Sequence, residues 1–84
     1  MLAKAYMGKG LELGKQGQPA LAISNMKKGI SEDSTNAEIW YNLGGAYYTV
    51  HNLDSARYSW LKALQINPEY TQARQGLNAI TPTR

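Results

Sequence analysis

Three short constellations bring together residue types that could do chemistry. Gly8-Lys9-Gly10 and Gly14-Lys15-Gln16 combine glycines with lysines, as a phosphate-cradling loop does. Such a loop needs four residues between its glycines, then Lys-Ser or Lys-Thr, after a strand. Here five residues separate Gly8 from Gly14, glutamine follows Lys15, and no strand pattern precedes them. His51, Asp54 and Ser55 hold the types of a nucleophilic triad. Their setting is a turn, where histidine tolerates positive φ and Asp or Ser favours a helix start. One histidine and no cysteine leave too few ligands for a transition-metal site. Lys27-Lys28 is the one adjacent basic pair. It is too thin for a nucleic-acid footprint and reads as a solvated face. None of these residues makes a catalytic constellation, so no enzyme, metal or cofactor is expected.

The informative chemistry is aromatic. Trp40-Tyr41-Asn42-Leu43-Gly44-Gly45-Ala46-Tyr47 places Trp40, Leu43, Gly44 and Tyr47 at spacings of three, one and three, on one side of a helix. Glycine in mid-helix costs roughly 1 kcal/mol against alanine. Gly44 therefore implies close approach: a second helix packs where a Cβ would be. Trp40 and Trp60 both read as core residues and not as base-stacking platforms.

The chain must supply helices to hold that run. Eighty-four residues at 43% apolar content suit one globular domain. A chain of this size buries roughly 60% of its unfolded surface. Net charge is +3, spread along the sequence. No apolar run approaches the ~18 residues that span a membrane, so no membrane partner is expected. Lys4, Lys9 and four glycines interrupt the amino-terminal stretch, which lacks a secretory apolar region. A cytoplasmic setting is the expectation from that, with the redox compartment left open. Met1 is either a native start or an added initiator.

Helical periodicity predicts five helices and no strand, an all-α fold. The first covers about 3–16, weakened by Gly8, Gly10 and Gly14, with Tyr6, Gly10 and Leu13 recurring at helical spacing. Gly17-Gln18-Pro19 ends it and begins the second, about 19–31, whose inner face is Ala22, Ile23, Met26 and Ile30. Thr35-Asn36-Ala37-Glu38 fits a capping box with Thr35 as cap, opening a third helix over about 37–50. Asn52 caps a fourth, about 53–66, with Ala56, Trp60, Ala63 and Leu64 inward. Asn67 caps and Pro68 begins a last helix, 68–80, followed by a tail, 81–84.

Shifting the sequence by 34 residues aligns Ala3 with Ala37, Tyr6 with Trp40, Gly10 with Gly44 and Leu13 with Tyr47. The same shift aligns Gly17 with His51, Ala22 with Ala56, Met26 with Trp60 and Lys28 with Lys62. Residues 37–70 resemble a tetratricopeptide repeat through Trp40-x-x-Leu43-Gly44-x-x-Tyr47, Ala56-x-x-x-Trp60 and Pro68. Trp60 replaces the usual phenylalanine. Residues 3–36 resemble a more divergent copy, departing at Lys9 and Ser34. The resemblance implies a single domain over 1–80, a right-handed α-solenoid of antiparallel helix pairs with 68–80 as capping helix. It also implies a non-enzymatic scaffold that binds a peptide or partner segment on its concave face.

By that resemblance the groove is lined by Lys4, Met7, Leu11 and Lys15 in the first repeat. Glu38, Tyr41, Asn42, Gly45, Tyr48 and Thr49 line it in the second, and Gln72 continues it. Helical spacing independently places Glu38, Tyr41, Gly45 and Tyr48 on one face, away from Trp40. The competing reading makes Tyr41 and Tyr48 padding for neighbouring helices. Some members of the family clamp a peptide's terminal carboxylate. Of the residues they use, only Asn42 has a match here, which argues against a chaperone-tail clamp. Met1, Leu2, Met7 and Leu11 lie beyond the Tyr6–Leu13 face. They suggest either an excised piece of a longer array or self-association of copies through Leu2, Met7 and Leu11.

Overall fold

The computed structural model describes residues 2–81. Met1 and the tail positions 82–84 lie outside the described residues. Five helices follow in order: α1 (Leu2–Lys15), α2 (Pro19–Glu32), α3 (Ala37–Thr49), α4 (Leu53–Ile66) and α5 (Thr71–Ile80). No strand occurs among the described residues. Each helix packs on the next in the chain, and α1 touches α3 while α3 touches α5. By contrast, α2 and α4 make no such contact. The odd-numbered helices therefore lie on the inner side of a curved stack measuring 41 × 26 × 16 Å. The even-numbered ones splay apart on the outer side.

The repeat is visible in the turns. Gly17 (φ 77°) and His51 (φ 64°) are the two described residues of positive φ, 34 residues apart. Around Gly17, the Gln18 amide bonds Leu13 O at 2.9 Å and the Gly17 amide bonds Gly14 O at 3.0 Å. Around His51, Asn52 bonds Tyr47 O and His51 bonds Tyr48 O, both at 3.0 Å. Both are the glycine-type helix stop in which two orphan carbonyls are satisfied by left-handed backbone. His51 thus serves the turn. Asp54 pairs with Arg57 at 3.1 Å, and the Ser55 amide bonds the Asn52 side chain, so the three residues form no triad.

Two helix starts differ from the sequence reading. Asn36, not Thr35, caps α3: its Oδ1 accepts from the Glu38 and Ile39 amides at 3.0 and 3.3 Å. Thr35 is turned back to Asp33, whose carboxylate accepts from its hydroxyl and its amide. Those two bonds hold the Asp33 carboxyl below its ordinary pKa. The bonds from Thr35 to the Asp33 carboxylate compete with the box, and Asn36 takes the cap. Asn36→Ala is expected to cost about 1 kcal/mol in chemical denaturation, and Thr35→Ala clearly less. The last helix begins at Thr71 instead of Pro68. Asn67 accepts from the Glu69 amide two residues on, making a turn where the sequence suggests a helix cap.

The core is a row of interdigitating residues: Ala3, Met7, Met26, Ile39, Trp40, Leu43, Ala56, Trp60, Ala63 and Ala73. Trp60 is its centre. Its indole N–H donates to Tyr41 O at 3.0 Å. A Cβ built on Gly44 would collide with the Nε1–Cδ1 edge of that ring, and one on Gly76 would stand 2.8 Å from Cδ2 and Cε2. In the first repeat a Cβ built on Gly10 would likewise stand 2.8 Å from Met26 Cγ. The close approach implied by a mid-helix glycine is thus met at equivalent positions of both repeats. Trp40 is buried too, and its indole donates to Ser34 O at 2.9 Å, fastening the connector before α3.

Candidate functional site

On the inner side a groove of about 320 Å³ runs between α1 and α3, with the start of α2 below it. Leu11 and Lys15 of α1 face Asn42 and Thr49 of α3 across it. Gly14 and Gly45 also line it, and nothing lies within 4 Å of where a Cβ on either would stand. Bare helix backbone is therefore open to a ligand from both walls. The gap exists because α1 carries glycine at 10 and 14, and α3 at 44 and 45. Gly10 and Gly44 let the paired helix come close beneath. Gly14 and Gly45 leave the room above.

The structure brings five of the expected groove residues together: Leu11, Lys15, Asn42, Gly45 and Thr49. Lys4, Glu38, Tyr48 and Gln72 are exposed but do not line this groove. Tyr41 is half-buried, with its ring 5.3 Å from that of Tyr70. Burial raises the Tyr70 hydroxyl pKa, with smaller contributions from Glu38 and Tyr41. Tyr41 thus packs against the α4–α5 connector. Tyr48 lies 6.0 Å from Trp60 yet stays 48% exposed, so it covers the core and presents a surface together.

Met7 is a correction: it is 9% exposed and belongs to the core. At one helical face away from Tyr6 it reads as surface, but the buried face of α1 is Ala3, Met7, Gly10 and Leu13. The patch expected for self-association therefore does not exist as one surface. Leu2 is exposed, Met7 is inside, and Leu11 is a wall of the groove. Sequence reasoning also misses Tyr70 and Ser59. Tyr70 sits in a connector with no periodicity to flag it. Ser59 is buried on α4 beside Trp60, and its hydroxyl has no hydrogen-bond partner among the described residues.

Among the described residues no three His, Cys, Asp or Glu side chains gather as a metal site, and no helix is long and apolar enough to cross a membrane.

Comparison with known proteins agrees with the helix pairing. The family profile of the tetratricopeptide repeat matches residues 37–70, and a second profile of the same repeat matches residues 3–36. The chain belongs to the tetratricopeptide-repeat family. Mouse Superkiller complex protein 3 is 30% identical over 67 residues, which is 80% of this chain and 4% of that protein. The chain thus spans a small fraction of that curated relative. The second tetratricopeptide domain of Spaghetti (RPAP3), bound to the HSP90 peptide SRMEEVD, superposes with a TM-score of 0.92 at 23% identity. That match covers 94% of this chain and 73% of the other. The first such domain of the same protein, with the same peptide, gives 0.91 at 28% identity, covering 93% and 62%. These tetratricopeptide domains share the stacked helix pairs described above.

Proposed function

We propose that this tetratricopeptide module is a non-catalytic scaffold that holds an extended peptide segment of a partner protein in the groove between α1 and α3. One observation carries the reading: Gly14 and Gly45 leave helix backbone uncovered on facing walls of that groove. A peptide can approach there without displacing side chains, so little ordering cost is added on binding. Asn42 offers an amide donor and acceptor to the peptide backbone, and Lys15 offers a cation. The peptide-bound relatives support the same class of ligand. The carboxylate clamp is not part of the reading. Leu11 and Gly76 supply neither cation nor amide where that clamp needs them, and Gln72 supplies a lone amide.

The test has two arms. The heptapeptide SRMEEVD is expected to bind weakly or not at all, because only Asn42 matches the clamp. Peptides selected from a display library are expected to shift the amide resonances of Leu11, Asn42, Gly45 and Thr49. Gly45→Leu should weaken them about tenfold or more while the fold is retained, because leucine is a good helix former and the space is open. Equal binding to Gly45→Leu, or shifts confined to α2 and α4, would overturn the groove.

A further inference from the structure

The outer side carries a second depression, of about 340 Å³, in the gap left where α2 and α4 do not meet. Its base is α3, through Trp40, Leu43 and Tyr47. Ile30 of α2 lines one wall, and Ser55 and Tyr58 of α4 the other. The Trp40 and Tyr58 rings meet edge to face at 6.0 Å, yet Tyr58 stands 59% exposed. No other large apolar side chain among the described residues is as exposed. Leu61, three residues on, is 47% exposed. The first repeat is an internal control. The shift of 34 residues puts Ser24 and Lys27 of α2 at the positions of Tyr58 and Leu61, and both are exposed. The helix pair forms with polar residues there, so the fold does not require the apolar pair on α4.

The charged groups around the depression are Lys27, Asp54, Arg57 and Lys62. Lys62 Nζ lies 5.5 Å from the Trp40 ring centroid, and Lys27 Nζ 6.0 Å from that of Tyr47. Asp54 pairs with Arg57 at the surface, a bond worth about 0–1 kcal/mol and readily exchanged. Asp54, Tyr58 and Lys62 follow one another at intervals of four residues and share a face of α4. Acid and base therefore stand equally far to either side of Tyr58. A two-fold axis at Tyr58 that lays α4 antiparallel to its own copy puts each Asp54 opposite the other copy's Lys62. An isologous interface needs such self-complementarity. Cations outnumber the acid on this face, so charge selects the orientation and apolar contact drives the association.

We propose that this outer face is a homodimer interface, and that the occupant of the depression is Tyr58 of a second copy. The two α4 helices run antiparallel about Tyr58. The depressions face one another, and the two Tyr58 rings fill the joint space against Trp40 and Tyr47. Each Leu61, three residues past the axis, lies over Ser55 of the other copy, three residues before it. A 14-residue helix is about 21 Å long and about 10 Å wide, so the face buries well under roughly 800 Å² per copy and the dimer is transient. The α1–α3 groove is on the inner side and stays open in both copies.

The experiment is sedimentation equilibrium together with NMR of the chain diluted from about 1 mM to about 20 µM, the range in which a weak dimer dissociates. Dilution is expected to shift the Trp40 indole N–H and the amides of Tyr47, Tyr58 and Leu61 along one saturable curve. Tyr58→Ser, which installs the residue type of the first repeat, should weaken association about tenfold or more, with helix content by circular dichroism retained. Asp54→Lys and Lys62→Asp should each weaken it about fivefold, and the two together should restore it, because the pairs re-form with their signs exchanged. The groove variant Gly45→Leu should dimerise like the parent chain. The proposal is overturned by a chain that stays monomeric at about 1 mM, which leaves the depression to a partner of another kind. It is overturned equally by a Tyr58→Ser variant that associates as tightly, by shifts at Leu2, Asn42 or Leu77 instead, or by a double charge variant no better than the single ones.

Discussion

Trp60→Ala is expected to lower stability by about 3–5 kcal/mol, the range for deleting a buried aromatic. An 84-residue chain holds roughly 0.05–0.15 kcal/mol per residue, or about 4–13 kcal/mol in all. At the lower end of that range the variant sits at or below the edge of folding at room temperature. Three helices meet at this side chain. It belongs to α4, its indole bonds the Tyr41 carbonyl of α3, and its ring fills the space that Gly44 of α3 and Gly76 of α5 leave free. Without it α5 loses its main support, since beyond Ala73 that helix has only half-buried residues to offer. Thermal melting followed by far-ultraviolet circular dichroism should show a fall of at least about 12 °C, taking about 4–8 °C per kcal/mol for a domain of this size. A fall of only a few degrees would mean that α5 and α3 close over the gap and that Trp60 is not the hub.

Most of this hub is legible in the size pattern of the sequence. A glycine in mid-helix implies a closely packed neighbouring helix, and the side chain that fills the space over Gly44 is Trp60. The five helices follow from the same periodicity. What the sequence hides has identifiable causes. Thr35 and Asn36 are both good caps, and only the Asp33 carboxylate, which draws Thr35 away, decides between them. Met7 and Leu11 stand four apart and read as one stripe, yet helix crossing at Gly10 turns one inward and leaves the other in the groove. Tyr41 reads as groove-lining because its partner, Tyr70, lies in a connector that no pattern marks. The outer depression over Trp40 is hidden for a different reason. It is a product of curvature: α1, α3 and α5 touch, α2 and α4 do not, and no local spacing encodes that difference.

Two adjacent glycines should respond to alanine with opposite signs. At Gly45 the added methyl meets nothing within 4 Å, so Gly45→Ala should stabilise by up to about 1 kcal/mol through helix propensity alone. At Gly44 the same methyl runs into the Trp60 ring, 2.5 Å from Cδ1 and 2.9 Å from Cε2. Overpacking of a rigid core costs roughly 1–3 kcal/mol, and here the ring has little room to retreat because it lies so close to Gly76 that a Cβ added there would stand 2.8–2.9 Å from Cδ2, Cε2 and Cε3. After the propensity gain of about 1 kcal/mol is subtracted, Gly44→Ala should still lose up to about 2 kcal/mol. Urea denaturation of both variants measures the contrast directly. The cause can be isolated with Trp60→Phe. Phenylalanine lacks the Nε1–Cδ1 edge that meets Gly44 and the N–H that bonds Tyr41 O, so alone it destabilises by leaving space and losing that bond. In the double variant the new methyl fills the vacated space. The combined loss should then fall short of the sum of the single losses by about 1–2 kcal/mol. Additivity to within about 0.5 kcal/mol would show that Gly44 is required for some reason other than the tryptophan beside it.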